Sequence, residues 1–236
     1  MFEVVERLPV KAVASIATAR KEVDMKKASV LIAVALVGSA LLGTDAGAGG
    51  AAGAAGFDAK LLFEYPPAKA AWHSGEGLPD PKSKTSSALH LEQPDPAAPV
   101  GTRAGAPIGG APGVVLTELG FDYRNGDFCS DVDAAAGQLG SPRYKIFTEP
   151  DGAEFHFACA AGDAAPTPGF ETSWTRVRFT DGDAYSRTGE VWPGFNNVVI
   201  RKMFILFGGA EDIAPNFSGL VHLDNLDING YLIGKR

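Results

Sequence analysis

The 236-residue sequence predicts an all-β fold, an antiparallel β-sandwich of about seven to nine short strands. Three observations carry that expectation. Apolar residues recur at every second position in several short stretches, the period of a half-buried strand. The stretches are separated by loops rich in Gly, Pro and Asp. Beyond residue 48, no segment shows the sustained i, i+3, i+4 apolar spacing with caps that an amphipathic helix requires.

In chain order, the first segment is a leader. The basic run Met25-Lys26-Lys27 precedes the apolar stretch Ala28 to Leu42 (ASVLIAVALVGSALL), and Ala46-Gly47-Ala48 has the A-x-A form of a signal-peptidase site. A membrane span needs about 20 apolar residues, so residues 1–48 read as an export signal. Residues 1–24 are then a long n-region or the product of an upstream start codon. No cysteine stands near the cleavage point to carry a lipid, so the product is expected free in an extracellular or periplasmic space. Residues 49–56 lie in a Gly/Ala run with no side chains to build a core, and read as a tether.

Residues 57–236 read as one domain. Its first part, residues 57–107, is loop-rich, with Trp72 and a single early strand at "SALHLEQ" between Pro-rich stretches. "AGAPIGGAPG" (Ala104 to Gly113) reads as a further loop. Alternation is clear from Val114: Val115, Thr117, Leu119, Phe121 and Tyr123 share one face. "RYKIFT" and "AEFHFAC" flank the turn "EPDG" and form a hairpin, since Pro pre-sets φ and Gly allows the positive φ of a tight turn. "WTRVRFT" opposes Val177 and Phe179 to Arg176 and Arg178. In "NNVVIRKMFILFG", Val199, Met203, Ile205 and Phe207 share a face interrupted by Arg201, and the other set is also largely apolar, so this strand is expected to be central and covered on both sides. In the last strand, "SGLVHLDNLDING", Val221 and Leu223 alternate, and Leu226 and Ile228 resume one step out of phase. Such a switch implies an extra residue, a β-bulge at Asp224-Asn225.

"GLVHLDNLDING" resembles the closing strand of bacterial jelly-roll sandwiches, among them carbohydrate-binding-module-like domains. "TELGFDYR" is similar to their early inner strand, and "TSWTRVRF" to the strand that bears a Trp before an alternating run. With the hairpin, the resemblance covers roughly residues 114–234, and small exported proteins without assigned activity look most alike. It implies a jelly-roll topology. The function expected for the whole chain is non-catalytic binding of a glycan or another extracellular surface component. An envelope structural or protein-interaction module without sugar specificity is the alternative, and a polysaccharide hydrolase or lyase is a further one. The resemblance also implies that Asp224 occupies the position that helps hold a structural Ca²⁺. The alternative for Asp224 and Asn225 is that they satisfy backbone groups at the bulge.

Composition narrows the partners. Subtracting the leader's net of +1 from the chain's −7 leaves −8, which argues against nucleic acid and anionic membrane surfaces. A polysaccharide or a cell-surface protein remains. Cys129 and Cys159 are the two cysteines, and in an oxidising compartment a lone pair most simply forms a disulfide. The four histidines, His73, His90, His156 and His222, show no metal-binding spacing; convergence of three from different strands would be needed for a zinc site, and rim positions are the commoner outcome. No nucleophile elbow, phosphate loop or dinucleotide fingerprint is present, and no strand carries the paired acids of a glycan hydrolase. Asn216-Phe217-Ser218 matches a glycosylation sequon by accident.

One loop, "DAYSRTGEVWPGFNN", gathers Tyr185, Trp192 and Phe195 with Arg187, Glu190 and Asn196. Sugar rings stack on flat aromatic faces, and the polar residues would bond hydroxyls, so these six are the candidate ligand-binding residues. The alternative is that Trp192 and Phe195 fold back to cap the sandwich.

Overall fold

A computed structural model describes residues 56–79, 86–99, 101–130, 138–208 and 218–234. The export signal, the tether up to residue 55 and Asn216-Phe217 of the sequon lie outside the described residues. The described residues form two antiparallel sheets packed face to face.

Thirteen strands are present among them: β1 (Phe63–Glu64), β2 (Lys69–Ser74), β3 (Ser87–Gln93), β4 (Arg103–Pro107), β5 (Leu119–Arg124), β6 (Arg143–Thr148), β7 (Glu154–Ala158), β8 (Asp163–Pro166), β9 (Trp174–Arg178), β10 (Ala184–Tyr185), β11 (Ile200–Gly208), β12 (Gly219–Ile228) and β13 (Tyr231–Ile233). One sheet runs β1-β4-β11-β6-β7-β10. The other runs β2-β3-β12-β5-β9-β8, with β13 also paired to β12. Without the edge strands and β13, the two orders are β4-β11-β6-β7 and β3-β12-β5-β9. That arrangement of eight strands, which sets an early strand beside the last, is a jelly roll.

The core is the set of inward residues of both sheets. Leu89, Leu91, Phe121, Val177, Val221 and Leu223 meet Tyr144, Ile146, Phe155, Phe157, Ile205 and Phe207, all buried. Tyr144 donates its hydroxyl to the Gly120 carbonyl at 2.8 Å, so the one polar atom of this ring is satisfied. β11 is central, as expected, but only its inner face is covered by the other sheet, with Phe204 half-buried on the outer face. A register shift between Ile200 and Lys202 also turns its start over. Ile200, not Val199, therefore joins the inner face, and Arg201 and Lys202 are both exposed.

Residues 57–107 hold four strands, β1 to β4, where one was expected. The stretch read as a loop from Ala104 begins inside β4. Its small residues produce no apolar periodicity, yet Ala104 and Ala106 are fully buried. A side chain at Gly105 would meet the Ile205 carbonyl at 2.2 Å and the Phe63 ring at 3.1 Å. β4 is thus selected for smallness by its neighbours β11 and β1. In the opposite sense, β5 starts only at Leu119; Val115 makes an isolated bridge to Val199 and is 44% exposed.

The bulge in the last strand is present. Asp224 pairs with Asp122 and Asp227 with Gly120, so Asn225 and Leu226 together oppose Phe121. Asn225 takes the left-handed conformation, φ 44°. The extra residue returns Leu226 and Ile228 to the core, where both are fully buried. Cys129 and Cys159 form a disulfide that ties the segment after β5 to the end of β7. Among the described residues, no helix is long and apolar enough to cross a membrane.

Candidate functional site

The aromatic loop after β9 is turned inward. The Trp192 ring meets Phe155, Phe157 and Phe195 edge to face, with centroids 5.0, 5.1 and 5.6 Å apart. Its Nε1 donates to Asp181 Oδ1 at 3.1 Å, and the same oxygen accepts the Phe195 N–H at 2.7 Å. Trp192 and Phe195 pack against the core and cap one end of the sandwich, so these two rings present no flat shared platform. Tyr185 lies in β10, half-buried. Glu190 accepts from the Ser186 and Thr188 hydroxyls, which holds its carboxyl below the usual range. Arg187 is exposed, and Asn196 occupies a left-handed turn position, φ 71°. The six residues lie between β9 and β11, and two of the three aromatics, Trp192 and Phe195, serve the fold.

Asp224 is 5% exposed. Its Oδ2 accepts the Leu78 N–H and its Oδ1 the Asn225 N–H, both at 2.7 Å. These bonds use the carboxylate to close the bulge and to pin the connection after β2 across the sheet. That is the backbone-satisfying alternative for Asp224. The connection lies so close that a Cβ at Gly77 would fall 2.6 Å from Asp224 Oδ2. Leu78 is held in a small outer cluster with Ala88, Trp174 and Phe170. Trp174 is therefore buried, but outside the main core.

The pinned connection carries Glu76 over three histidines. His222 on β12 stands directly opposite His90 on β3, and His90 opposite Ala71 on β2, with His73 two residues along the same face. Pairing across adjacent strands places all three on the outer face of one sheet. One nitrogen of each lies within 4.8 Å of the others. His90 Nδ1 is 3.1 Å from His222 Nε2, and the His73 and His90 rings stack at 4.5 Å. Glu76 Oε2 lies 2.9 Å from His222 Nε2, and Oε1 3.5 Å from His73 Nδ1. Arg124 donates to the Glu76 carbonyl at 2.6 Å, fixing the backbone beneath that carboxylate. Behind the cluster, Asp127 Oδ2 accepts both the N–H of His222 at 2.7 Å and its Nδ1–H at 2.9 Å.

Burial, then the neighbouring His222 and His73, hold the His90 pKa below its ordinary value. For Glu76 burial acts upward, but the charges of His222, His73 and Arg124 outweigh it and hold the carboxyl low. His156 stands apart on the other sheet. It is 1% exposed, and its Nε2 lies 2.7 Å from Glu154 Oε1.

The outer face of that other sheet carries a second feature. Phe63 on β1, Phe204 on β11 and Phe147 on β6 form a row of half-buried rings with centroid spacings of 6.5 and 6.4 Å. Tyr65, 51% exposed, extends the row 6.0 Å beyond Phe63. Arg103 lies 4.8 Å over the Tyr65 ring and Lys145 5.0 Å over Phe147.

Neither feature announces itself in sequence. His73, His90 and His222 lie in three separate stretches, and only the pairing of β2, β3 and β12 joins them. The usable signal was indirect: in a jelly roll the early and last strands pair, so outward histidines on both must face each other. The aromatic row has the same origin, since Phe147 and Phe204 sit on positions that alternate away from the core. Comparison with protein-family models, curated proteins and solved structures finds no match for this chain.

Proposed function

We propose that this chain is an exported, non-catalytic binding protein that engages a glycan or another extracellular surface component through the outer face of the sheet containing β1, β4, β11 and β6. The aromatic row Tyr65–Phe63–Phe204–Phe147 is the observation that carries this reading. Apolar ring surface left on an outer sheet face is what an interaction site needs and what a solvated face avoids. The rings meet edge to face, at 75–82°, so they offer apolar contact surface rather than one flat platform, while Arg103, Lys145 and the exposed Lys202 place cations beside it for hydroxyl or acidic groups. The disulfide fits an oxidising compartment. This moves recognition from the Trp192 loop to the sheet face.

The test is calorimetric titration of the protein with a panel of soluble neutral and acidic polysaccharides, alongside the Tyr65→Ala, Phe204→Ala and Trp192→Ala variants. Binding should weaken at least about tenfold, or 1.4 kcal/mol, in the first two, and stay near wild type in folded Trp192→Ala. Loss confined to Trp192→Ala would return the site to the loop. A folded protein that binds no polysaccharide would overturn the glycan reading in favour of a protein partner on this face.

A further inference from the structure

We infer that His73, His90, His222 and Glu76 form a binding site for a first-row divalent transition cation of the Zn²⁺ class, with Asp127 as its positioning residue. This inference is independent of the aromatic face and stands on the opposite sheet.

The spacing of the donor atoms supports it first. A tetrahedral ion with bonds of 2.0–2.1 Å to nitrogen and oxygen sets its donors about 3.3 Å apart. Two separations match, 2.9 Å for His222 Nε2 to Glu76 Oε2 and 3.1 Å for His90 Nδ1 to His222 Nε2, while His73 Nδ1 lies 3.5 Å from the other Glu76 oxygen, Oε1, and must shift to share the ion with Oε2. The widest gap among the three histidines, 4.8 Å, must close. His73 can do this, because it lies on the edge strand β2 with 40% of its side chain exposed.

Proton accounting points the same way. Asp127 can only accept, so the short contact to His222 Nδ1 requires the proton on that nitrogen. When that is the ring's single proton, Nε2 presents a lone pair toward His90 and Glu76. Glu76 Oε2 is also an acceptor, and two acceptors 2.9 Å apart need a cation or a further proton between them. A carboxylate behind a ligating imidazole is the arrangement that fixes tautomer and ring orientation at protein metal sites. His90 repeats it more loosely, with Nε2 3.8 Å from Glu92 Oε2.

Access and selectivity follow from the same positions. The His222 side chain is 8% exposed and Asp127 12%, whereas His73 and Glu76 are each 40% exposed. The ion would thus enter from solvent on the His73–Glu76 side against a floor held by the sheet. Three imidazoles and one carboxylate suit zinc, copper or nickel and do not suit Ca²⁺, which takes six to eight oxygens. The cation class differs from the Ca²⁺ expected at Asp224.

The experiment is titration of untagged, chelator-treated protein with ZnCl₂, followed by calorimetry, and with CoCl₂, followed by visible absorption. Wild type should bind one Zn²⁺ per chain, give the intense absorption of four-coordinate Co²⁺, and keep its affinity in excess Ca²⁺. His73→Ala, exposed and safe for folding, and His222→Gln should each lose at least tenfold in affinity and lose the Co²⁺ band. Asp127→Asn should lose about 10–100-fold while the saturated Co²⁺ spectrum keeps its shape, because the donor set is unchanged. Absence of stoichiometric Zn²⁺ binding, unchanged affinity in folded His73→Ala, or competition by Ca²⁺ would each overturn the site.

Discussion

Asn225 offers the sharpest test of how the last strand is built. It is the bulged residue, it sits at φ 44°, and its Nδ2 donates to Asp122 Oδ2 at 2.7 Å. Asp122 is fully buried, and its remaining donors are Arg176 Nε at 2.9 Å, Arg176 Nη2 at 3.1 Å and Thr167 Oγ1 at 3.2 Å. Removing the amide deletes one bond to a buried charged acceptor, worth about 1.5–3 kcal/mol. Asn225→Gly removes that bond and keeps the left-handed backbone free of strain. Asn225→Ala removes the same bond and keeps a Cβ in that conformation, as Asn does, so it lacks the relief of about 1–2 kcal/mol that Gly gains. The expected order is wild type, then Gly lower by about 1 kcal/mol, because relief of the Cβ offsets part of the lost bond, then Ala lower than wild type by about 2 kcal/mol. Urea unfolding followed by tryptophan fluorescence measures it, with the m-value constant across the series. An Ala variant as stable as the Gly variant would refute the left-handed bulge. An Ala variant as stable as wild type would refute the contribution of the Asp122 bond.

Two further outcomes are expected. Trp192→Ala should cost about 3 kcal/mol, the low end for a large aromatic because the ring is half-buried, and Trp192→Phe only about 1 kcal/mol for the lost bond to Asp181; near-wild-type stability of the Ala variant in the same unfolding assay would mean the ring does not cap the core. The Glu154 carboxyl is held at about 2: burial acts upward, but the bonds from His156 and Lys145 win. Its folded pKa lies below the unfolded value, so its contribution is complete above about pH 4.5 and lost as pH falls toward 2. Unfolding followed between pH 6 and about 2 should show Glu154→Gln losing part of the wild-type acid dependence, and identical profiles would remove Glu154 from that role.

Several elements were legible because their cause is local. The hairpin of β6 and β7 follows from alternation on both sides of a Pro-Asp-Gly turn, and the phase switch between Leu223 and Leu226 could mean only an inserted residue. The disulfide needed nothing beyond two cysteines and an oxidising compartment. β4 was not legible, because Ala104, Gly105 and Ala106 have no pattern of their own and are strand only where β1 and β11 leave room for nothing larger. β1 was hidden because it has only two residues, and β2 because its sequence KAAWHS is mostly small and polar and carries no clear apolar alternation. Trp192 could not be assigned from sequence, since a loop aromatic that stacks on a sugar and one that folds onto Phe155 and Phe157 have the same neighbours in the chain.

By itself, then, the sequence determined the β class, the central strand, the position of the bulge and most inward residues of the later strands, because period-two burial is written into consecutive side chains; the start of β11 is the exception. The tertiary structure alone decided which outward residues meet. His90 and His222 are 132 positions apart and His73 lies on a third strand, yet the pairing order sets them within hydrogen-bonding distance of one another or of Glu76. Outward positions carry no burial signal to mark them, and their neighbours are fixed by strand order across the sheet rather than by spacing along the chain.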